Sequence, residues 1–322
     1  MAKKITIKKG QLGLVAKAGD YYRVLEAGEH RLGWFNTDDV LVVSQDGSEV
    51  PGALADYLRR FQPDWVVRYC LAVDLTADEI GVLSNNGVLQ EIVPPSTRRL
   101  YWQQDAALTL QRIDTRDVRV PVDVMNAALQ PRRNGALKGR DAMLVVQVPA
   151  WHVGVVKIDG EIQALLPPGL TAYWKINHLV EAEIVDTRLQ VVEVSGQEIL
   201  TKDKVNLRLN LAANWRYSDV LQACGQLTKP LEHLYRELQF ALREAVGTRT
   251  LDELLEDKQI IDEVVSKQVQ GRLSSFGMEI ASLGVKDIVL PGDMKTILSR
   301  LVEAEKSAQA NVIRRREETA AT

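Results

Sequence analysis

The sequence predicts an α+β fold: tandem small β-modules, then an α/β domain, then a long terminal helix. Three observations point there. A Gly-to-Trp motif in strand-like alternation recurs three times, helical stripes later stand between two strands, and from Asp293 to about Thr319 there is neither Gly nor Pro.

The first copy of the motif reads Gln11-Leu12-Gly13-Leu14-Val15, then Leu25-Glu26-Ala27-Gly28, then Leu32-Gly33-Trp34. The second reads Glu79-Ile80-Gly81-Val82-Leu83, Ile92-Val93-Pro94-Pro95 and Leu100-Tyr101-Trp102. The third reads His152-Val153-Gly154-Val155-Val156, Leu165-Leu166-Pro167-Pro168 and Ala172-Tyr173-Trp174. The Gly-to-Trp intervals are 21, 21 and 20 residues (13 to 34, 81 to 102, 154 to 174), and the glycines lie 68 and 73 residues apart. Each copy predicts a short meander: a strand through Gly, a turn, a second strand, and a third after Trp. The turns fall at Ala18-Gly19-Asp20, Asn85-Asn86-Gly87 and Asp159-Gly160, and the strands after Trp at 40–43, 107–113 and 180–185. Copies two and three close alike, on Ile113-Asp114-Thr115-Arg116 and Val185-Asp186-Thr187-Arg188. Gly13, Trp34, Gly81, Trp102, Gly154 and Trp174 are read as the repeat core, each Trp a plug between sheet and connection. A ligand-stacking platform would need clustered polar groups, which the motif lacks.

The connectors differ. Leu54, Leu58 and Phe61 predict a short amphipathic helix over 51–61. Residues 126–141, with Pro131-Arg132-Arg133-Asn134-Gly135 and Lys138-Gly139-Arg140, read as an exposed linker whose four basic residues are solvated.

After the third copy the pattern changes class. Val205-Asn206-Leu207-Arg208-Leu209-Asn210-Leu211 alternates strictly, a half-buried strand leading into Trp215-Arg216-Tyr217, and Ser218 and Asp219 sit where an N-cap belongs. A helix begins at Thr228 with Pro230 in its first turn; Leu231, Leu234, Tyr235, Leu238, Leu242, Ala245 and Val246 form its buried stripe, which Gly247 ends. Thr250 and Glu253 make a capping-box pair before 251–256. From about Asp257 a further helix buries Ile261, Val264, Val265, Val269 and Leu273 and stops at Gly277, before a return strand over 278–288.

Asp293 is a good N-cap for the terminal helix, about 40 Å long at ~1.5 Å per residue and too long to lie within the domain. Met294, Ile297, Leu301, Ala304 and Ala308 repeat at heptad spacing before the register meets Asn311 and Arg315. This Ala-rich seam, flanked by Glu303, Glu305 and Lys306, suits lateral packing of many equivalent helices, so these five positions are the expected oligomerisation surface. The sequence ends on Glu318-Thr319-Ala320-Ala321-Thr322 with no stop signal, so the helix is expected to continue.

The runs Leu166-Pro167-Pro168-Gly169-Leu170, Val185-Asp186-Thr187-Arg188-Leu189-Gln190 and Gln197-Glu198-Ile199-Leu200-Thr201-Lys202-Asp203-Lys204-Val205 closely resemble the slipin, or bacterial stomatin-like, pattern. So do Phe276-Gly277-Met278-Glu279-Ile280 and Val285-Lys286-Asp287-Ile288-Val289-Leu290-Pro291. The resemblance covers about 143–322 and places the chain in the stomatin/prohibitin/flotillin (SPFH, band 7) superfamily. It implies oligomers on membranes that organise lipid microdomains and regulate partner membrane proteins or proteases. Most slipins carry a hydrophobic hairpin where this chain carries two additional β-units. Tandem β-modules, then such a domain, then a long helix is also similar to the layout of the major vault protein, whose chains line up into a closed shell.

Composition sets limits. The 322 residues, 46% hydrophobic and 26% charged, suffice for two or three domains. With 40 basic and 43 acidic residues, a net charge of −3 gives no field for phosphates, which argues against nucleic acid as a partner. Cys70 and Cys224 fall in segments read as a buried strand and a buried helix, which suits a reducing compartment and excludes a disulfide framework. The N-terminus lacks the apolar run of a signal peptide, and apolar stretches such as 143–148 and 153–156 fall well short of the ~20 residues of a membrane span. A cytoplasmic chain, or one peripheral on the cytoplasmic face of a membrane, is expected.

No P-loop, dinucleotide fingerprint, nucleophile elbow or metal-spaced His/Cys set occurs, so no catalytic, cofactor-binding or metal-binding residue is expected. His30, His152, His178 and His233 are scattered; His152 takes the place of Gln11 and Glu79 and reads as a surface strand residue. Asp38-Asp39 and Glu317-Glu318 read as solvated surface. The expected domains are 1–69 and 70–142 (repeats one and two), 143–290 (the SPFH domain, opening on repeat three) and 291–322 (the helix). The expected function is a non-enzymatic scaffold assembling into rings or cages, organising a membrane patch or partner membrane proteins. The alternatives are an adaptor for a membrane protease or transporter, and a soluble vault-like shell. Membrane contact would come from exposed apolar loops, basic segments such as Arg132-Arg133, or a partner.

Overall fold

Alternating apolar residues build five strands per copy. The computed structural model describes residues 3–33, 38–103, 107–132, 136–257 and 259–320, so Trp34 lies outside the described residues. Copy one holds β1 (Lys3–Ile7), β2 (Gln11–Lys17), β3 (Asp20–Leu25), β4 (Gly28–Leu32) and β5 (Asp39–Ser44). Two helices follow, α1 (Gly52–Phe61) and α2 (Pro63–Tyr69). Copy two holds β6 (Cys70–Asp74), β7 (Glu79–Asn85), β8 (Val88–Val93), β9 (Arg98–Trp102) and β10 (Leu108–Asp114), and leads into α3 (Val122–Leu129). Copy three holds β11 (Met143–Val148), β12 (His152–Ile158), β13 (Glu161–Leu166), β14 (Gly169–Trp174) and β15 (Val180–Asp186).

The expected meander is corrected. The sheets run β3-β2-β5, β8-β7-β10 and β13-β12-β15, so the glycine strand is central, while the strand leading to Trp pairs with the strand before the motif, as β1-β4, β6-β9 and β11-β14. In copies two and three Pro94-Pro95 and Pro167-Pro168 end the hairpin, because proline has no N–H for the ladder, and the chain crosses to the second pair. The repeat glycines sit where the two layers approach. A Cβ on Gly13 would lie 2.9 Å from Ile7 and 3.2 Å from Leu25, and one on Gly154 2.9 Å from Val148 and 3.3 Å from Leu166. Gly81 meets Leu75 and Val93 in the same way, six residues before and twelve after. The hairpin turns place Ala18-Gly19, Asn86-Gly87 and Asp159-Gly160 at positive φ, the two-residue turn that suits strand twist.

Successive copies are joined alike. The segment before α1 adds to β9, with the Val50 N–H donating to the Leu100 carbonyl (2.8 Å) and Trp102 N–H to the Ser48 carbonyl (2.9 Å). The segment before α3 adds to β14 through Val120 N–H to Ala172 (2.9 Å) and Trp174 N–H to Val118 (2.8 Å). Leu12 and Leu14 then share a core with Leu54 and Leu58 of α1 and with Trp102, as Ile80 and Val82 do with Val124 and Met125 of α3 and with Trp174. The expected exposed linker over 126–141 therefore needs revision: it starts inside α3, whose apolar Val124, Met125 and Ala128 share one face, and it includes buried Leu137. Arg133 to Gly135 of that segment lie outside the described residues.

By contact the chain divides into two units: Met1–Gln147, Lys157–Glu161 and Gly169–Ala182 form one, and Val148–Val156, Ile162–Pro168 and Glu183–Thr322 the other. In the second, β16 (Gln190–Leu200), β17 (Asn206–Tyr217) and β18 (Met278–Val289) form an antiparallel sheet in the order β16-β17-β18. Helices α4 (Val220–Gln226), α5 (Pro230–Gly247), α6 (Leu251–Glu256) and α7 (Gln259–Leu273) precede β18, and α8 (Gly292–Ala320) follows it. Leu207, Leu209, Leu211 and Trp215 face Leu234, Leu238 and Leu242 of α5 and Ile261, Val265 and Val269 of α7 in the core of this unit. Asp219 caps α4 by accepting from the Gln222 N–H (3.0 Å), and Thr250 and Glu253 bond reciprocally across the start of α6. Gly277 sits at φ 66, where a Cβ would fall 2.2 Å from the Asp219 carbonyl oxygen, so only glycine fits this stop.

The reading of Asp38-Asp39 as solvated is corrected for Asp38, which is buried and accepts a hydrogen bond from the Tyr22 hydroxyl. The side chains of Glu317 and Glu318 lie outside the described residues.

Candidate assembly surface

The terminal helix forms because nothing interrupts it. Its first turn closes through Lys295 N–H to the Pro291 carbonyl (3.1 Å), and the Thr296 hydroxyl bonds the Gly292 carbonyl (3.1 Å). Helix α8 starts at Gly292, so Asp293 lies in the first turn instead of capping it, where its carboxylate still opposes the helix dipole. Its 29 residues span about 43 Å.

Of the five expected oligomerisation residues, Met294 packs partly against the core of its own unit, and Ile297, Leu301, Ala304 and Ala308 are exposed. Val312, also exposed, was missed. A strict heptad from Ala308 leads to Arg315, but a step of four leads to Val312, and the six positions fall within about 80° around a 3.6-residue helix. Val302 and Ile313, exposed too, lie outside that stripe.

The profile of the SPFH domain / Band 7 family matches residues 146–319, from β11 almost to the end of α8. The chain belongs to this family. A stomatin homolog of Pyrococcus horikoshii is 29% identical over 165 residues, 51% of this chain and 61% of that protein. One from Pyrococcus abyssi is 28% identical over 165 residues, with the same shares of the two chains. Stomatin-3 of Caenorhabditis elegans is 28% identical over 183 residues, 53% of this chain and 68% of its own. The chain thus spans about three-fifths of the length of the Pyrococcus relatives.

Copies one and two lie outside the Band 7 match. Trp102 of copy two is buried, and so is Trp174, which lies within the match; the indole N–H of Trp174 has no hydrogen-bond partner among the described residues. Cys70 packs beside Trp102, and burial pushes its thiol up to about 12 against the pull of Arg59. A thiol so shifted holds almost no thiolate, so iodoacetamide at about pH 8 should leave Cys70 unmodified in the native protein and alkylate it after unfolding. Peptide mass spectrometry checks this, and native-state labelling of Cys70 would mean that this joint opens readily.

Copies two and three share a clamp. Arg116 donates to Asp114 and Arg188 to Asp186, each Nε at 2.9 Å, which holds the Asp114 carboxyl at about 2 and Asp186 well below the usual carboxylate range. His152, expected as a surface strand residue, opens β12 half-buried, with its Nε2 3.8 Å from Asp186. Among the described residues no three of His, Cys, Asp and Glu converge as a metal would need. No helix among them is long and apolar enough to cross a membrane.

Proposed function

We propose that this Band 7 protein is a non-enzymatic scaffold whose copies associate side by side through α8 and which works against a membrane or on a membrane-bound partner. One observation carries the reading: a 29-residue helix displays Ile297, Leu301, Ala304, Ala308 and Val312 to solvent, a stripe left uncovered among the described residues. A solvated single helix of this kind gains little from its apolar side, whereas packing against equivalent helices buries it. Membership of the SPFH domain / Band 7 family and relatives named stomatin homologs agree with that reading. Light scattering behind size exclusion tests the proposal. The expected mass is many times the 36.0 kDa of one chain, and a monomer at micromolar concentration would sink it.

A further inference from the structure

The turn before β12 carries a side chain that the fold does not require. Trp151 sits there at φ 65, a conformation disfavoured for a bulky residue, with 70% of its surface exposed. The structural work of the position belongs to its backbone: the Trp151 carbonyl accepts from the Thr187 N–H (3.0 Å) and hydroxyl (2.7 Å). In copy two the Asp78 carbonyl takes the same two bonds from Thr115, at 2.8 and 3.0 Å. In copy one the carbonyl of Gly10, φ 79, accepts from the Gln45 N–H (2.8 Å).

The residue two places beyond each donor changes in step. Gly10 goes with Gly47, Asp78 with Asp117, and Trp151 with Leu189. One backbone frame thus bears a glycine pair, an acidic pair and an apolar pair. Leu189, just before β16, is 54% exposed, and Val191, at the start of that strand, is 64% exposed. The third copy therefore keeps an unfavourable backbone and uncovered apolar surface that its siblings avoid, and strain of this sort marks sites of contact.

We propose that Trp151 and Leu189 form a lipid-contacting tip that inserts into the interface of an electrically neutral bilayer. Size argues for a bilayer over a protein. A Trp buries about 150–250 Å², and with one Leu this stays well short of the ~800 Å² per partner of a stable protein interface. A bilayer interface demands no matching shape and favours Trp at headgroup depth. Charge sets the lipid class: Arg188 beside the tip is held by Asp186, whose Oδ2 also lies 3.8 Å from His152 Nε2, so the Arg188 charge is neutralised locally and pulls little on anionic headgroups. The inference rests on the scaffold reading in one respect, since a tip this small holds a surface firmly only when many copies present it together.

Flotation of the full chain with phosphatidylcholine vesicles tests the tip, with and without phosphatidylglycerol. Trp151→Gly installs the residue that copy one uses at the same backbone angle, so the fold should survive, and Leu189→Asp tests the neighbour independently. The parent should float equally with both vesicle types, and each variant should lose roughly tenfold or more in partitioning with sedimentation unchanged. Brominated phosphatidylcholine should quench a component of parent fluorescence that Trp151→Gly lacks. Undiminished flotation of Trp151→Gly, or binding only to anionic vesicles, overturns the proposal. So does an altered sedimentation profile with flotation intact, which would make Trp151 a subunit contact. An assembled parent that binds no vesicle removes the tip and leaves the scaffold reading standing; a monomeric parent whose flotation still depends on Trp151 does the reverse.

Discussion

Deletion of residues 292–322 is expected to reduce a large assembly to small species in sedimentation velocity while circular dichroism still reports the remaining strands and helices. The expectation follows from where α8 is held. Among the side chains described, Met294 and the preceding Leu290 pack against the core of the second unit, and the others so described from Lys295 to Arg316 are exposed. Its loss should therefore cost the domain little and the assembly much. Each fully buried Leu, Ile or Val contributes about 1.5–3 kcal/mol, so burying Ile297, Leu301 and Val312 would supply about 4.5–9 kcal/mol, comparable to the ~4–15 kcal/mol cost of association. A finer variant separates the stripe from the helix as a whole. Leu301→Asp places a carboxylate in the seam and should dissociate the assembly nearly as fully as deletion, whereas Val302→Asp, outside the stripe, should not. If the deletion leaves sedimentation unchanged, the β-array holds the subunits together; if Val302→Asp disrupts as strongly as Leu301→Asp, the face has been misplaced.

Features whose cause is local could be read from the residues themselves. The capping box at Thr250 and Glu253, the cap at Asp219 and the two-residue turn at Asn86-Gly87 each depend on a few adjacent residues, and each forms as expected. The β-modules were harder. Their strands were visible as alternation, but alternation says which face is buried and not which strand lies alongside, so the pairing of β9 with β6 was missed. The information was nonetheless present, because the residues six before and twelve after each repeat glycine are apolar in all three copies. In residues 126–141 the Pro, Gly and Arg content masks the short apolar stripe of α3 that opens the segment. Asp38 was judged by its type, yet its burial is matched by the Tyr22 hydroxyl, a partner sixteen residues away. Trp151 carries no repeat signal, because the copies share their Gly and Trp positions and differ in the turn before the glycine strand.

Truncating Trp174 is expected to destabilise the repeat-bearing unit more than any surface change. The indole is fully buried and fills the joint between Ile80, Val82, Val124 and Met125, so Trp174→Ala should cost about 3–5 kcal/mol through lost burial and the cavity left behind. Trp174→Phe separates packing from polarity. It removes some volume but also an indole N–H that is buried without a partner among the described residues, so its cost should be well below that of Ala, about 1–2 kcal/mol. Hydrogen exchange read by mass spectrometry under increasing urea would localise the effect. Protection should fall in β7, α3 and β14, with the α5 and α7 peptides of the second unit unchanged. A ligand-stacking role predicts instead little loss of stability for either variant. A Trp174→Ala cost below about 1 kcal/mol would mean that the joint is not built around this side chain, and the parallel assignment of Trp102 would fall with it.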